Sequence, residues 1–199
     1  MTTRQKTAGS PFLYDSVTGD LVGLKDDDGS ETLLMRIPDI LTVLRLSDLV
    51  ATANTGVPIE FDTTYISRGL TLVDNSKVTC RRKAIINLQF SFVFANTDTS
   101  SEHDVSVWLV KNSDVSVNGG LVGTNTDISL PKPHGGVAGK VVAAWNFFIE
   151  VMPGDYFQVY FSAPSNLVKL EFTDVQTTPA RPSMPSAILT VNEIDGHYP

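Results

Sequence analysis

The chain has 199 residues, 42% hydrophobic and only 19% charged, with a net charge of −7. The length suffices for one sizeable domain, or for one domain plus an arm. The acidic balance argues against binding to nucleic-acid phosphates and against docking on an anionic membrane. A single cysteine, Cys80, excludes an intrachain disulfide.

Residues 1–36 are polar and punctuated by turn residues, at Gly9-Ser10-Pro11, Thr18-Gly19-Asp20 and Asp26-Asp27-Asp28-Gly29. Short apolar islands lie between them, Phe12-Leu13-Tyr14 and Leu21-Val22-Gly23-Leu24. Such a segment buries too little to fold alone and becomes ordered when something holds it, the expected holder being another chain. It is read as an extended N-terminal anchoring arm. Met1 to Thr7 carries basic residues with no apolar segment behind them, and no apolar run approaches the ~20 residues that span a bilayer. The expectation is a protein made in a cytoplasm and not exported by a secretory signal.

Residues 37–57 form a connector. Ile40, Leu41, Val43, Leu44, Leu46, Leu49 and Val50 fit a short helix after Pro38, while the alternation at Leu44 and Leu46 also allows a strand. From residue 58 to 199 the chain reads as strands separated by turns. Val57–Phe61, Leu70–Val73 and Lys77–Cys80 are short. Ala84–Phe94 is long, with Ile86, Leu88, Phe90, Phe92 and Phe94 on one face and Asn87, Gln89 and Ser91 on the other. Val105–Lys111 alternates, and Thr126–Leu130 is a weaker strand. The loop from Asn112 to Gly139 holds six glycines, at 119, 120, 123, 135, 136 and 139.

Next comes the most informative stretch. Val141, Ala143, Trp145, Phe147, Ile149 and Val151 recur every second residue. Pro153-Gly154-Asp155 supplies a turn, and Phe157, Val159 and Phe161 resume the alternation. This reads as an aromatic-rich hairpin. Val142, Ala144 and Phe148 make the opposite face apolar too, and a strand apolar on both faces points to a subunit interface. Val168, Leu170 and Phe172 mark a further strand. The proline-rich segment Pro179–Pro185 leads to a last strand, Ala187–Ile194. Eight or nine strands without a long helix indicate an all-β, antiparallel sandwich of jelly-roll type.

No residue pattern in this chain carries recognised catalytic chemistry. Glu102-His103-Asp104 holds three ligand types, but neighbours on a strand point to opposite sides and converge poorly on a metal. His134 and His197 stand apart in sequence. Asp26 to Glu31 lacks the alternating ligand spacing of a calcium loop. There is no Gly-x-Ser-x-Gly elbow. Glu150, Asp155 and Glu171 qualify as glycosidase carboxylates by residue type only. Arg81-Arg82-Lys83 reads as a charged guard at a strand boundary, or as an intersubunit ion-pair contact. Cys80 beside these cations is either activated or a small strand residue. Trp108, Trp145, Phe147, Phe148, Tyr156 and Tyr160 could build a sugar platform, but their regular spacing favours the sandwich core. The expectation is therefore no catalytic residue, no metal and no cofactor.

A family resemblance adds to this. Phe61-Asp62-Thr63, Lys77-Val78 before the long strand, Val105–Asn112 and Pro153-Gly154-Asp155 together resemble the jelly roll of the complement and tumour-necrosis-factor superfamily. His103–Leu109, Lys132–Gly136, Val142–Phe148, Arg181–Ser186 and the leader Tyr14–Leu24 look more specifically like tailed-bacteriophage virion proteins that use this module. The resemblance implies a homotrimer with aromatics packed at the three-fold axis, for which the candidates are Trp145, Phe148, Tyr156 and Tyr160. It implies a capsid decoration or cement protein, located on the virion and bound to the major capsid protein. The arm residues Phe12, Leu13, Tyr14, Leu21, Val22 and Leu24 are the candidate anchor. The alternative is a tail fibre, adaptor or receptor-binding head whose 112–139 loop recognises host glycan.

Overall fold

The computed structural model describes residues 4–5, 12–15, 21–25, 31–33, 38–112 and 120–194. The chain divides into two units, residues 1–38 with 194–199, and residues 39–193. In the smaller unit β1 (Arg4–Gln5), β2 (Phe12–Asp15), β3 (Leu21–Lys25) and β4 (Glu31–Leu33) form a four-stranded antiparallel sheet in sequential order. The segment read from sequence as an extended arm is thus a meander in which each apolar island pairs with the next, Phe12 opposite Leu24 and Leu13 opposite Gly23. Its punctuating residues at 9–11, 18–20 and 26–29 lie outside the described residues.

The larger unit is an antiparallel jelly-roll β-sandwich. Its strands are β5 (Ile40–Arg45), β6 (Leu49–Val50), β7 (Val57–Pro58), β8 (Thr63–Arg68), β9 (Leu70–Val73), β10 (Lys77–Cys80), β11 (Ala84–Asn96), β12 (His103–Lys111), β13 (Thr126–Leu130), β14 (Gly139–Val151), β15 (Tyr156–Ser162), β16 (Val168–Leu170) and β19 (Ala187–Glu193). Between the last two, β17 (Gln176–Thr177) and β18 (Ala180–Arg181) make a separate small ribbon. One sheet runs β13-β12-β15-β10-β9, with β7 also on β15. The other runs β6-β16-β11-β19-β5-β8, with β14 also on β11.

The period-two pattern decides what lies between the sheets. On β11 the inward residues Ile86, Leu88, Phe90, Phe92 and Phe94 are all buried, and Phe94 meets Phe161 of the opposite sheet at 5.7 Å between ring centres. Val105, Val107 and Leu109 of β12 and Phe157, Val159 and Phe161 of β15 fill the other side. Leu41 and Val43 belong to the same core.

Two expectations from sequence are corrected here. The 37–57 connector is not a helix: Ile40–Arg45 is a strand within the core sheet, paired with β19 on one side and β8 on the other. Its apolar run is too short for periodicity to decide, and a neighbouring strand 140 or so residues downstream in sequence settles it. The 141–161 stretch is two strands joined by a tight turn, but not a hairpin. β14 pairs with β11 over thirteen positions, Ala84 opposite Val151 through Asn96 opposite Gly139. β15 pairs instead with β12 and β10 in the opposite sheet. The turn between them carries the chain from one sheet to the other.

Asp155 holds that crossing. Its carboxylate accepts the Met152 N–H at 2.8 Å and the Asn112 side-chain amide at 2.7 Å, and faces the Lys111 ammonium at 2.7 Å. Gly154 has a φ of 86°, a conformation that suits glycine. The bonds from Lys111 and Asn112 hold the Asp155 carboxyl down at about 2. Its ionised form is therefore favoured in the fold, and that stability is present above the ordinary carboxylate value and lost as pH falls from about 4 towards 2. Asp155→Asn should lower the melting temperature by roughly 3–6 °C at pH 7, with the difference from the parent chain shrinking to nothing near pH 2 in a pH series of thermal melts.

Candidate assembly surface

Two features of the larger unit gather side chains that could do chemistry or bind: a buried charge cluster and the aromatic strand β14. The cluster forms where the chain changes sheets. Between β10 and β11, Arg81–Lys83 crosses from one sheet to the other, and Arg82 is drawn inside, 8% exposed. Its guanidinium meets the buried Asp39 carboxylate and lies 3.8 Å from Glu193. Arg81 adds a contact to Asp39 at 3.3 Å. Glu193 Oε2 accepts the Asp39 N–H at 3.0 Å, and the Glu193 N–H donates to the Asp39 carbonyl at 2.9 Å. The first and last residues of this unit are thereby fastened to each other.

Gly69, between β8 and β9, is another crossing, at the same cluster. With a φ of 76° it leaves room for Asp39: a Cβ there would stand 1.8 Å from Asp39 Oδ1. From sequence, Arg81-Arg82-Lys83 is expected to be a boundary guard or an intersubunit contact. The structure gives all three intrachain partners, Lys83 pairing with Glu150 at 3.2 Å.

Cys80 borders the same cleft, which Asp39, Leu70, Arg82, Ile86, Val151 and Glu193 also line. The thiol is 4% exposed. Burial, with the Asp155 and Asp39 carboxylates nearby, pushes it up to about 12, so it stays protonated and unreactive at neutral pH. The cluster thus consists of charges that hold one another, and a lock is the chemistry it supports. Arg82→Met would remove the buried cation that faces both Asp39 and Glu193, leaving the more exposed Arg81 against Asp39. It should cost about 3–5 kcal/mol, measured by chemical denaturation at pH 7.

The remaining candidates are engaged in the same way. His103 Nε2 lies 3.0 Å from Asp98 Oδ2, but the Ser100 hydroxyl donates to Asp98 Oδ1 rather than to the imidazole, so among the described residues this serine and histidine do not form a nucleophile–base pair. The Ser100 hydroxyl and N–H, with His103, hold the Asp98 carboxyl down at about 2. Asp104 takes the Ser129 hydroxyl on the adjoining strand, and Glu171 pairs with Lys140 and Lys169. Among the described residues no group of three or more His, Cys, Asp or Glu side chains could hold a metal ion. Asp26–Ser30 and His197 lie outside the described residues.

The aromatic residues singled out from sequence separate into three places. Trp145 and Phe147 project from β14 on the core side, beside Phe90 at 6.2 and 6.3 Å between ring centres. Here the opposite sheet does not cover β14, and Trp145 remains 39% exposed. Phe148 projects from the outer face with Val142, and these are 62% and 59% exposed. Tyr156 and Tyr160 stand on the outside of the other sheet, where Tyr160 packs on Trp108 at 5.9 Å. Trp108 is no open platform, because the backbones of Gly56 and Gly120 lie against its indole; a Cβ on either would come within 2.8 and 2.6 Å of it. Trp145 and Phe148 are therefore neighbours on one strand but on opposite faces, and the tyrosines belong to a separate surface. In the smaller unit Phe12, Tyr14 and Leu21 are exposed, Leu13 is buried and Leu24 is half-buried. The side chain of Val22 lies outside the described residues.

β14 is also an edge. Among the described residues its only strand partner is β11. It is thirteen residues long, pairs without a bulge and contains no proline. Natural edges are usually shortened, bulged, charged or covered, because unpaired N–H and C=O groups recruit other strands. β14 carries none of these defences along its centre, and its charged side chains, Lys140 and Glu150, sit near its two ends.

No family model matches the chain, and no curated protein matches it. Among solved structures it is similar to the globular domain of the zebrafish complement 1qA protein, at 11% identity and a TM-score of 0.43, over 78% of this chain and 95% of that one.

Proposed function

We propose that this chain is a non-enzymatic structural protein of a phage particle. In this reading it decorates and cements the capsid surface as an assembly of identical copies bound to the major capsid protein. The observation that carries the assembly part is the undefended edge of β14, with Trp145, Phe148 and Val142 exposed on a single strand. Exposed apolar groups concentrated on an open edge favour association over life as a monomer. The virion setting comes from the sequence resemblance set out above, which also carries the expectation of three copies.

The smaller unit supplies the capsid contact, with Phe12, Tyr14 and Leu21 as its exposed apolar side chains. Linking several such contacts within one assembly raises the effective concentration of each, so individually weak docking becomes stable attachment. The engaged charge cluster around Arg82 and the protonated Cys80 support a structural role as well.

Two measurements test this reading. Antibody to the protein, viewed by electron microscopy on intact particles, should label the whole head. Label confined to the tail would transfer the protein to the receptor-binding class, with the 112–139 loop as the glycan-facing surface. Removal of residues 1–36 should abolish attachment to heads lacking the protein while leaving the larger unit folded; unchanged attachment would refute the anchoring role.

A further inference from the structure

The free edge of β14 has a definite hydrogen-bonding phase. On β11 the Val93 N–H donates to the Ser186 carbonyl and the Val93 carbonyl accepts the Glu171 N–H, both on the side away from β14. Odd-numbered residues of β11 therefore face away from β14 and even-numbered ones face it. Since Ala84 pairs with Val151 and each even residue of β11 with an odd residue of β14, the even residues of β14 turn their N–H and C=O groups to the open edge. The Glu150 carbonyl agrees, for it is reached from outside β11 by Lys111 Nζ at 3.0 Å. Lys140, Val142, Ala144, Asn146, Phe148 and Glu150 thus present both their backbone groups on the edge and their side chains on the outer face.

That row complements itself when reversed. Antiparallel pairing of β14 with the β14 of a second copy, centred on Trp145, sets Lys140 opposite Glu150, Val142 opposite Phe148 and Ala144 opposite Asn146. Sliding by one hydrogen-bonding step in either direction destroys the match: Lys140 then falls opposite Phe148, or Val142 opposite Glu150. The centred register alone joins cation to anion and apolar to apolar, and such cross-strand pairs fix register. It also sets the two Trp145 side chains directly across from each other at a non-hydrogen-bonded position, where side chains approach most closely. Both are on the core-side face, where Trp145 is 39% exposed.

We infer that β14 binds the β14 of a second copy of this chain, antiparallel and centred on Trp145, joining the two β11-containing sheets into one across a two-fold axis. This rests on the reading that the chain works as an assembly of copies, and names the contact. The contact is isologous and closes on a pair. The two-fold contact takes Trp145 and Phe148 away from the three-fold axis to which the family resemblance assigns them, so a three-fold assembly would rest on another surface, such as that of Tyr156 and Tyr160, and each of its three copies would keep a β14 edge for a neighbouring trimer. Pairwise edge contacts of this sort tie trimers laterally, as a cementing protein requires.

The test uses the full chain. Trp145→Cys places a thiol on the two-fold axis, at a Cα separation of about 4.5 Å from its counterpart, within reach of a disulfide. Cys80 is buried and protonated, so the new thiol is the reactive one. Mild oxidation should give a covalent dimer on a non-reducing gel. Lys140→Glu and Glu150→Lys singly should each weaken pairing on the order of tenfold or more by setting like charges opposite. The double variant should restore it, read by light scattering across a concentration series. In-chain partners cannot produce that rescue, because Glu171 and Lys83 would still face the wrong charge. Assembly that persists without cross-linking or charge rescue overturns the β14 pairing and leaves the assembly reading standing. A chain that is monomeric in every variant and at every concentration, folded by thermal melt, overturns both.

Discussion

The larger unit depends on one buried cation. Arg82 is carried inside at a point where the chain passes between sheets, and it meets carboxylates from the first and last residues of the unit. Three separate requirements coincide there: the crossing at Arg81–Lys83, the crossing at Gly69 and the fastening of Asp39 to Glu193. An unpaired charge in such a place would be prohibitive, and a paired one is tolerated only when geometry is closely specified. Asp39 is specified by the missing Cβ of Gly69 as well as by Arg82. The lock therefore selects among ways of closing the sandwich, since a shifted β5 or β19 would strand a charge.

Around that lock the sandwich follows from alternation. Each long strand offers one apolar row to the interior, and the two rows of phenylalanines interleave at Phe94 and Phe161. β14 departs from this arrangement in the middle. Its core-side row continues inward at Ala143, Ile149 and Val151, but Trp145 lies beyond the cover of the opposite sheet. The same strand thus completes the fold at its ends and leaves apolar surface at its centre. Open edges usually carry charge or proline at such positions, whereas this one carries tryptophan and phenylalanine.

Period two in the sequence suffices to find β11, β12, β14, β15 and β19, because each has an unbroken apolar row at alternate positions. It does not reveal their pairing. Val141–Phe161 reads as a hairpin locally, yet its two strands enter different sheets, the first pairing along Ala84–Asn96 and the second along His103–Lys111, both distant in sequence. Ile40–Arg45 is ambiguous because Ile40, Leu41, Val43 and Leu44 within six residues fit helix or strand equally. The burial of Arg82 was illegible for a different reason: Asp39 lies 43 residues away, and Asp39 and Glu193 are 154 apart, with nothing local to mark them as partners. The turn at Pro153-Gly154-Asp155 was legible as a turn, but its work of crossing between sheets depends on Lys111 and Asn112, which only the fold brings near.

The pairing of β11 also bears on how the protein is born. Its neighbours β14, β16 and β19 all lie downstream, and β5, made early, waits for β19 as well. During translation the phenylalanine-rich row from Phe90 to Phe94 emerges with no strand to cover it. Its cover arrives piecemeal, from β12 and β15 across the sandwich and β14 alongside, and the sheet around it is complete only once β19 has been made. A topology so dominated by distant contacts closes late and as a whole. A chain that stops short of the last strand lacks the one that joins β11 to β5, so the sheet is left in two pieces and without its Asp39–Glu193 fastening.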